Sequence, residues 1–314
     1  MKLGLVASCF LDKSWEEVCK FAGALNLEAI EPGSGAFEEK VHCNPSVLLK
    51  NKKALKTFIS TAEKYKLDIN CFDCTGNFLH PQKEISKEHI SDLEDTIELA
   101  NRIGVKIIKC LAGCPGAYED AIYPNWITFP WPPYFGKAIN WQWNEKIIPF
   151  WKKMVKKAKK AGIKFGFELH PGDAVYNTKT FLKLRKEIDE DEIVCTLDIS
   201  HLFYQGIDPI ACLRSLSGYI VNIHAKDCKI DNSIKNITGI IDWEDFNNIN
   251  ERSWNYRVVG YGHGAEFWSD FIATLKMIGY KGFINIEHED PLISPEDGVK
   301  KAVSFLNNIL IYDK

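Results

Sequence analysis

Short apolar runs alternate with amphipathic segments from one end of the chain to the other. Eight runs read as strands: 3–7 (LGLVA), 27–31 (LEAIE), 68–72 (DINCF), 105–111 (VKIIKCL), 163–168 (IKFGFE), 193–198 (IVCTLD), 219–224 (YIVNIH) and 283–287 (FINIE). Between them, apolar positions at helical spacing predict helices over 46–66, 87–103, 146–161 and 266–279. Two more helix starts are marked by their caps: Ser14 with Glu17 three residues on, and Ser294-Pro295 with Asp297 close behind. Strict alternation of strand and helix predicts an α/β fold with a parallel sheet. Eight repeats favour a closed (β/α)8 TIM barrel over an open doubly wound sheet. A dinucleotide-binding sheet would also want glycines after the first strand, and residues 7–12 (ASCFLD) hold none.

A length of 314 residues suits one barrel, and no Pro/Gly/Ser linker divides the chain, so a single domain over 1–314 is expected. Two connections are long, about 112–145 and 225–265. The first carries Trp126, Trp131, Trp141 and Trp143, which suit either a cover for a substrate or a contact with a second copy in a homo-oligomer. The second is polar. A formal net charge of −3 offers no basic excess for nucleic acid. No apolar run approaches the roughly 18 residues that span a bilayer. The opening MKLGLVASCF is interrupted by Asp12 and Lys13 too soon for a signal peptide. A cytoplasmic protein without membrane or nucleic-acid partners is the expectation. The ten cysteines include no CxxC pair, and Cys71, Cys110 and Cys195 lie inside apolar runs as small hydrophobes.

The chemistry gathers at the ends of the late strands. Strand five ends in Glu168, strand six in Asp198, strand seven in His224 and strand eight in Glu287. Barrel chemistry sits at the carboxyl ends of strands. Period-two parity puts Glu168 on one face with Gly166, Asp198 with Thr196, His224 with Asn222 and Glu287 with Asn285, while their apolar neighbours point to the other. Three carboxylates brought together repel unless a cation sits among them. A divalent ion leaves the cluster near −1 (three negative charges against two positive), and three oxygens with one nitrogen suit Mn²⁺ first, with Mg²⁺, Co²⁺ or Zn²⁺ as alternatives.

These strand ends, with Asp198-Ile-Ser-His201, His224-Ala-Lys-Asp227 and Tyr280-Lys-Gly-Phe-Ile-Asn-Ile-Glu287, resemble the xylose-isomerase-like barrels, which isomerise or epimerise sugars and sugar phosphates. The resemblance implies a metal held by Glu168, Asp198, His224 and Glu287. It also implies Glu168 and Glu287 as the catalytic acid/base pair, and contacts from His201 and Arg257 to substrate oxygens. The expected activity is isomerisation or epimerisation of a small carbohydrate through a metal-stabilised enediolate, with keto-polyol dehydration as the chemical neighbour. An endonuclease IV-like enzyme would need histidines at the third and fourth strand ends, which read Phe72-Asp-Cys-Thr-Gly and Leu111-Ala-Gly. A non-catalytic sugar-binding barrel is the third alternative.

Other residues are candidates by position. Lys226, two after His224, would hold a substrate oxygen or pair with Asp227. His263, in Gly260-Tyr-Gly-His-Gly, and His80, past strand three, are candidate pocket residues, and so is His170. Glu31 ends strand two as a hydroxyl acceptor, and Glu289 is a rival metal ligand.

Overall fold

The computed structural model describes residues 1–311. Its strands are β1 (Lys2–Val6), β2 (Ala29–Glu31), β3 (Asp68–Ile69), β4 (Phe72–Asp73), β5 (Ile107–Cys110), β6 (Lys164–Glu168), β7 (Ile193–Asp198), β8 (Ile220–Ala225), β9 (Asp227–Ile230), β10 (Trp254–Arg257) and β11 (Phe283–Ile286). Its helices are α1 (Trp15–Ala24), α2 (Pro45–Lys50), α3 (Lys52–Lys64), α4 (Lys83–Ile103), α5 (Pro133–Trp141), α6 (Ile148–Ala161), α7 (Thr178–Ile188), α8 (Ser200–Phe203), α9 (Pro209–Ser215), α10 (Asn232–Thr238), α11 (Ala265–Met277) and α12 (Pro295–Asn307). These residues group into two compact units. The first comprises Met1–Glu31, Ala62–Asp68 and the described chain from Leu197 on; the second comprises Pro32–Thr61 and Ile69–Thr196.

In the first unit β2, β1, β11 and β8 run parallel in that order, with Val6 opposite Glu31, Gly4 opposite Asn285 and Asn285 opposite His224. An antiparallel pair, β9 with β10, then sets Asp227 opposite Arg257. It lies inside the 225–265 stretch expected as a loop. The alternation Asp-Cys-Lys-Ile and Trp-Asn-Tyr-Arg carries the strand period, but polar surroundings mask it. Ser14 accepts from the Glu17 amide and Glu17 answers at the Ser14 amide, so the expected capping box forms at α1. Ser294 caps α12 with Pro295 in its first turn.

In the second unit β4, β5, β6 and β7 are parallel, with Asp73 opposite Lys109, Lys109 opposite Gly166 and Glu168 opposite Thr196. The expected third strand, 68–72, is split in two because its halves serve different neighbours. The Asp68 amide bonds Glu28 O at 2.9 Å, whereas Phe72 and Asp73 pair with β5. The helix expected over 46–66 is likewise two, since Asn51 is extended and its side chain caps α3 at the Ala54 amide. Before α6 the chain takes a π-helical turn, Gln142–Ile147. Pro149 lacks the N–H that would close a regular turn there.

Phe165 and Phe167 pack away from the polar face, as parity requires. The fully buried Trp151 of α6 lies 5.3 and 4.5 Å from their rings and donates to Ala112 O at 2.8 Å. In the 112–145 segment Trp143 is buried, while Tyr118, Tyr123, Phe129, Trp131 and Tyr134 are exposed. All ten cysteines are free thiols, nine of them buried. Among the described residues no helix is long and apolar enough to cross a membrane.

Candidate metal centre

In the first unit the strand register brings polar residues of the chain's start, middle and end onto one network. The His224 ring stands between two carboxylates, Nδ1 2.9 Å from Glu287 Oε2 and Nε2 3.1 Å from Glu31 Oε1. Glu31 is fully buried, and its Oε2 accepts from Asn222 at 2.8 Å and Asn285 at 2.6 Å. Glu31, expected as a hydroxyl acceptor, thus has Oε1 against His224 and Oε2 against the two asparagines. Burial opposes a charged imidazole, but Glu31 and Glu287 outweigh it and hold the His224 pKa well above its ordinary value.

Asp198, also fully buried, accepts from the Ser200 amide through Oδ1 at 2.8 Å. Its Oδ2 lies 3.2 Å from His201 Nε2 and 3.0 Å from Lys226 Nζ. Lys226 reaches further, to Glu287 Oε1 at 3.0 Å and Glu289 Oε2 at 2.8 Å, and lies over the Tyr256 ring. It therefore ties Asp198 to Glu287, and the alternative pairing with Asp227 is not made. Glu289, the rival ligand, is half-exposed and is Lys226's outer partner. His201 Nδ1 meets the hydroxyls of Tyr204 at 2.7 Å and Tyr256 at 3.2 Å.

Asp227 turns the other way. Its buried Oδ2 accepts from the amides of Gly260, Gly262 and His263 and from Trp268 Nε1, at 2.9 to 3.1 Å. Its Oδ1 faces His263 Nδ1 at 2.8 Å, and that ring stacks on Phe203. The glycines answer this carboxylate rather than a ligand. A Cβ on Gly262 would stand 2.4 Å from Cys228 O, and one on Gly260, at φ +89°, would strike the Phe305 ring. Arg257 Nε donates to Asp290 Oδ2 at 2.8 Å.

In the second unit Glu168 ends β6, buried, with Oε2 3.0 Å from Lys109 Nζ. Lys109 is itself buried and also meets Asp73 Oδ2 at 3.0 Å and Thr75 Oγ1 at 2.8 Å. Neither Lys109 nor Asp73 was singled out in the sequence. The available signal was a lysine inside the apolar run VKIIKCL. Glu168 pairs with Thr196 in register, and Asp198 follows two residues later on the same face of the same strand. Just past Glu168, His170 Nδ1 meets Pro171 O at 2.6 Å, and Asp173 is buried. His80 Nδ1 accepts from the Gln82 amide at 3.1 Å.

Residues 22–309 match the family described as the xylose isomerase-like TIM barrel. The chain belongs to that family. Among relatives of the xylose isomerase-like barrels, the uncharacterized protein YfiH of Bacillus subtilis is 34% identical over 313 residues, covering 99% of each chain. Solved structures share the fold at low identity. The probable 3-DHS dehydratase AsbF of Bacillus anthracis superposes with a TM-score of 0.69 at 17% identity, over 98% of this chain and 99% of its own. A D-tagatose 3-epimerase-like protein gives 0.65 at 20%, over 98% of each. The IOLI protein, solved with a binding zinc atom, gives 0.66 at 16%, over 99% of this chain and 98% of its own.

Proposed function

We propose that this xylose isomerase-like barrel is a divalent-metal-dependent enzyme that isomerises or epimerises a small carbohydrate, either a ketose, a sugar phosphate or a keto-polyol. The observation that carries the reading is the convergence of Asp198, His224 and Glu287, whose donor atoms lie within 4.8 Å of one another. Donors about 2.0–2.2 Å from one ion stand up to roughly 4.4 Å apart, so a small side-chain shift closes the three on a cation. Glu168 is proposed as the fourth ligand; its register beside β7 supports this. An oxygen-rich set with one imidazole suits Mn²⁺, Mg²⁺, Co²⁺ or Zn²⁺. Glu31 completes the set from behind, as a carboxylate that fixes the ring and tautomer of a ligating histidine.

When bound, the ion supplies Lewis-acid polarisation of the substrate's carbonyl. The chain's own residues move the proton. Glu168 and Glu287 act on the carbon beside that carbonyl, one removing its proton and the other returning it. Each glutamate stands 3.0 Å from a buried lysine, Lys109 or Lys226. His201 and Arg257 are assigned to substrate oxygens. Asp290, holding Arg257 Nε, fixes the direction of that guanidinium. The exposed Tyr118, Tyr123, Phe129, Trp131 and Tyr134 are proposed as the contact of a homo-oligomer.

A second reading, dehydration of a keto-polyol, is favoured by the same two lysines. Each offers an N–H where a departing hydroxyl needs a proton, and the fold of a probable dehydratase is similar. One experiment tests both: a panel of ketoses and keto-polyols incubated in D₂O with protein loaded with Mn²⁺. Isomerisation or epimerisation puts deuterium at the carbon α to the carbonyl; dehydration yields an ultraviolet-absorbing enone. A converted substrate that shows neither points to internal proton return or to hydride transfer.

A further inference from the structure

We infer a second ligand site in the second unit, outside the candidate metal centre, that takes a small anion with a flat apolar body. A cavity of about 400 Å³ opens between the 125–147 segment and the first turns of α7. That volume is in the range of small-molecule pockets. None of the proposed metal ligands lines it. Its walls are apolar and aromatic, chiefly Trp126, Ile127, Trp143 and Ile147, and Trp126 is braced edge-on by Tyr176 at 5.2 Å. Such walls bury a ring at little entropic cost.

The charge lining it has one sign. Lys179 and Lys183, one turn apart on α7, both border the cavity, and no Asp or Glu does. Lys183 lies over the Trp143 ring, 4.9 Å from its centre. Among the described residues neither lysine forms a salt bridge with an acidic side chain. Other surface lysines of this chain do pair, such as Lys159 with Glu190 and Lys146 with Glu119. Two ammonium groups at the rim of an aromatic cavity match a carboxylate or sulfonate carried on a planar ring. Asn125, Thr128, Asn177 and Thr180 add polar groups to the lining, and buried Gln142 spends its amide N–H groups on the carbonyls of Pro115, Gly116 and Asn125. Those bonds brace the cavity wall and leave the charged contact to the lysines.

The probe is naphthoate, followed by titration calorimetry and by tryptophan fluorescence. Wild-type protein should bind one naphthoate per chain saturably. Naphthol, with the same ring and no charge, should bind more weakly. The double variant Lys179→Glu/Lys183→Glu should weaken naphthoate by roughly tenfold or more and leave naphthol unchanged. Both lysines are exposed, and an unaltered thermal midpoint shows that the variant is folded. Trp126→Ala should weaken both probes. Absence of saturable naphthoate binding overturns the proposal; so does equal affinity in the lysine variant, which would mark adhesion to the exposed aromatics nearby.

Discussion

Asp173 offers a quantitative test of the electrostatics around Glu168. Its carboxyl is 7% exposed and Oδ1 has no hydrogen-bond partner among the described residues. Burial raises its pKa from 3.8 to about 7; a hydrogen bond from the Gly113 backbone opposes the rise and the Glu168 charge adds to it. The folded protein therefore keeps this proton until about pH 7, whereas the unfolded chain releases it near pH 4. Between those values the folded state binds more protons, so this group makes stability fall as pH rises. At about 1.4 kcal/mol per unit, a rise of roughly three units is worth about 4 kcal/mol. Asp173→Asn removes the titration and keeps the shape. Urea unfolding of both metal-free proteins, stepped from about pH 4 to about pH 8, gives the stability difference at each pH. Variant minus wild type should climb by several kcal/mol across the window and then level off. The amide's own unpaired atoms add only a constant offset. A flat difference curve would refute the buried, proton-retaining carboxyl.

Asp198→Ala and His224→Ala should each purify with little divalent metal, since either removes one of four proposed ligands; full metal content in both by elemental analysis would reject the set. Glu168→Gln and Glu287→Gln should bind substrate yet lose roughly 10²–10⁴-fold in turnover, and full activity in both would end the two-glutamate mechanism. Trp151→Ala should cost about 3–5 kcal/mol by chemical denaturation, because its ring touches Phe78, Phe150, Phe165 and Phe167 and nothing can refill the space.

The polar faces of β6, β7, β8 and β11 could be read from alternation alone because every second residue in those runs is strongly apolar. The same logic failed where a partner comes from far along the chain. Glu31 ended its run like a pocket residue, yet it lies against His224, 193 positions away. Lys109 sat in an apolar run and gave no hint that Asp73 and Glu168 would neutralise it, since one partner lies on a strand that breaks in two. Gly260 and Gly262 suggested room for a ligand, but the backbone closes on the chain's own Asp227. Local periodicity records which way a side chain faces; it does not record what stands opposite.

The ten thiols have a practical consequence. Burial raises the pKa of seven of them, Cys19 and Cys114 to about 12 and Cys9, Cys43, Cys74, Cys110 and Cys228 higher still. A thiol that holds its proton is a poor nucleophile, and one sealed in a core is out of reach of a reagent. The nine buried thiols thus form an unreactive background for maleimide chemistry, and Cys9, which is only partly covered, is the one to replace first. With Cys9 changed to Ser, a single cysteine placed at an exposed position such as Met277 would take a fluorophore or spin label cleanly.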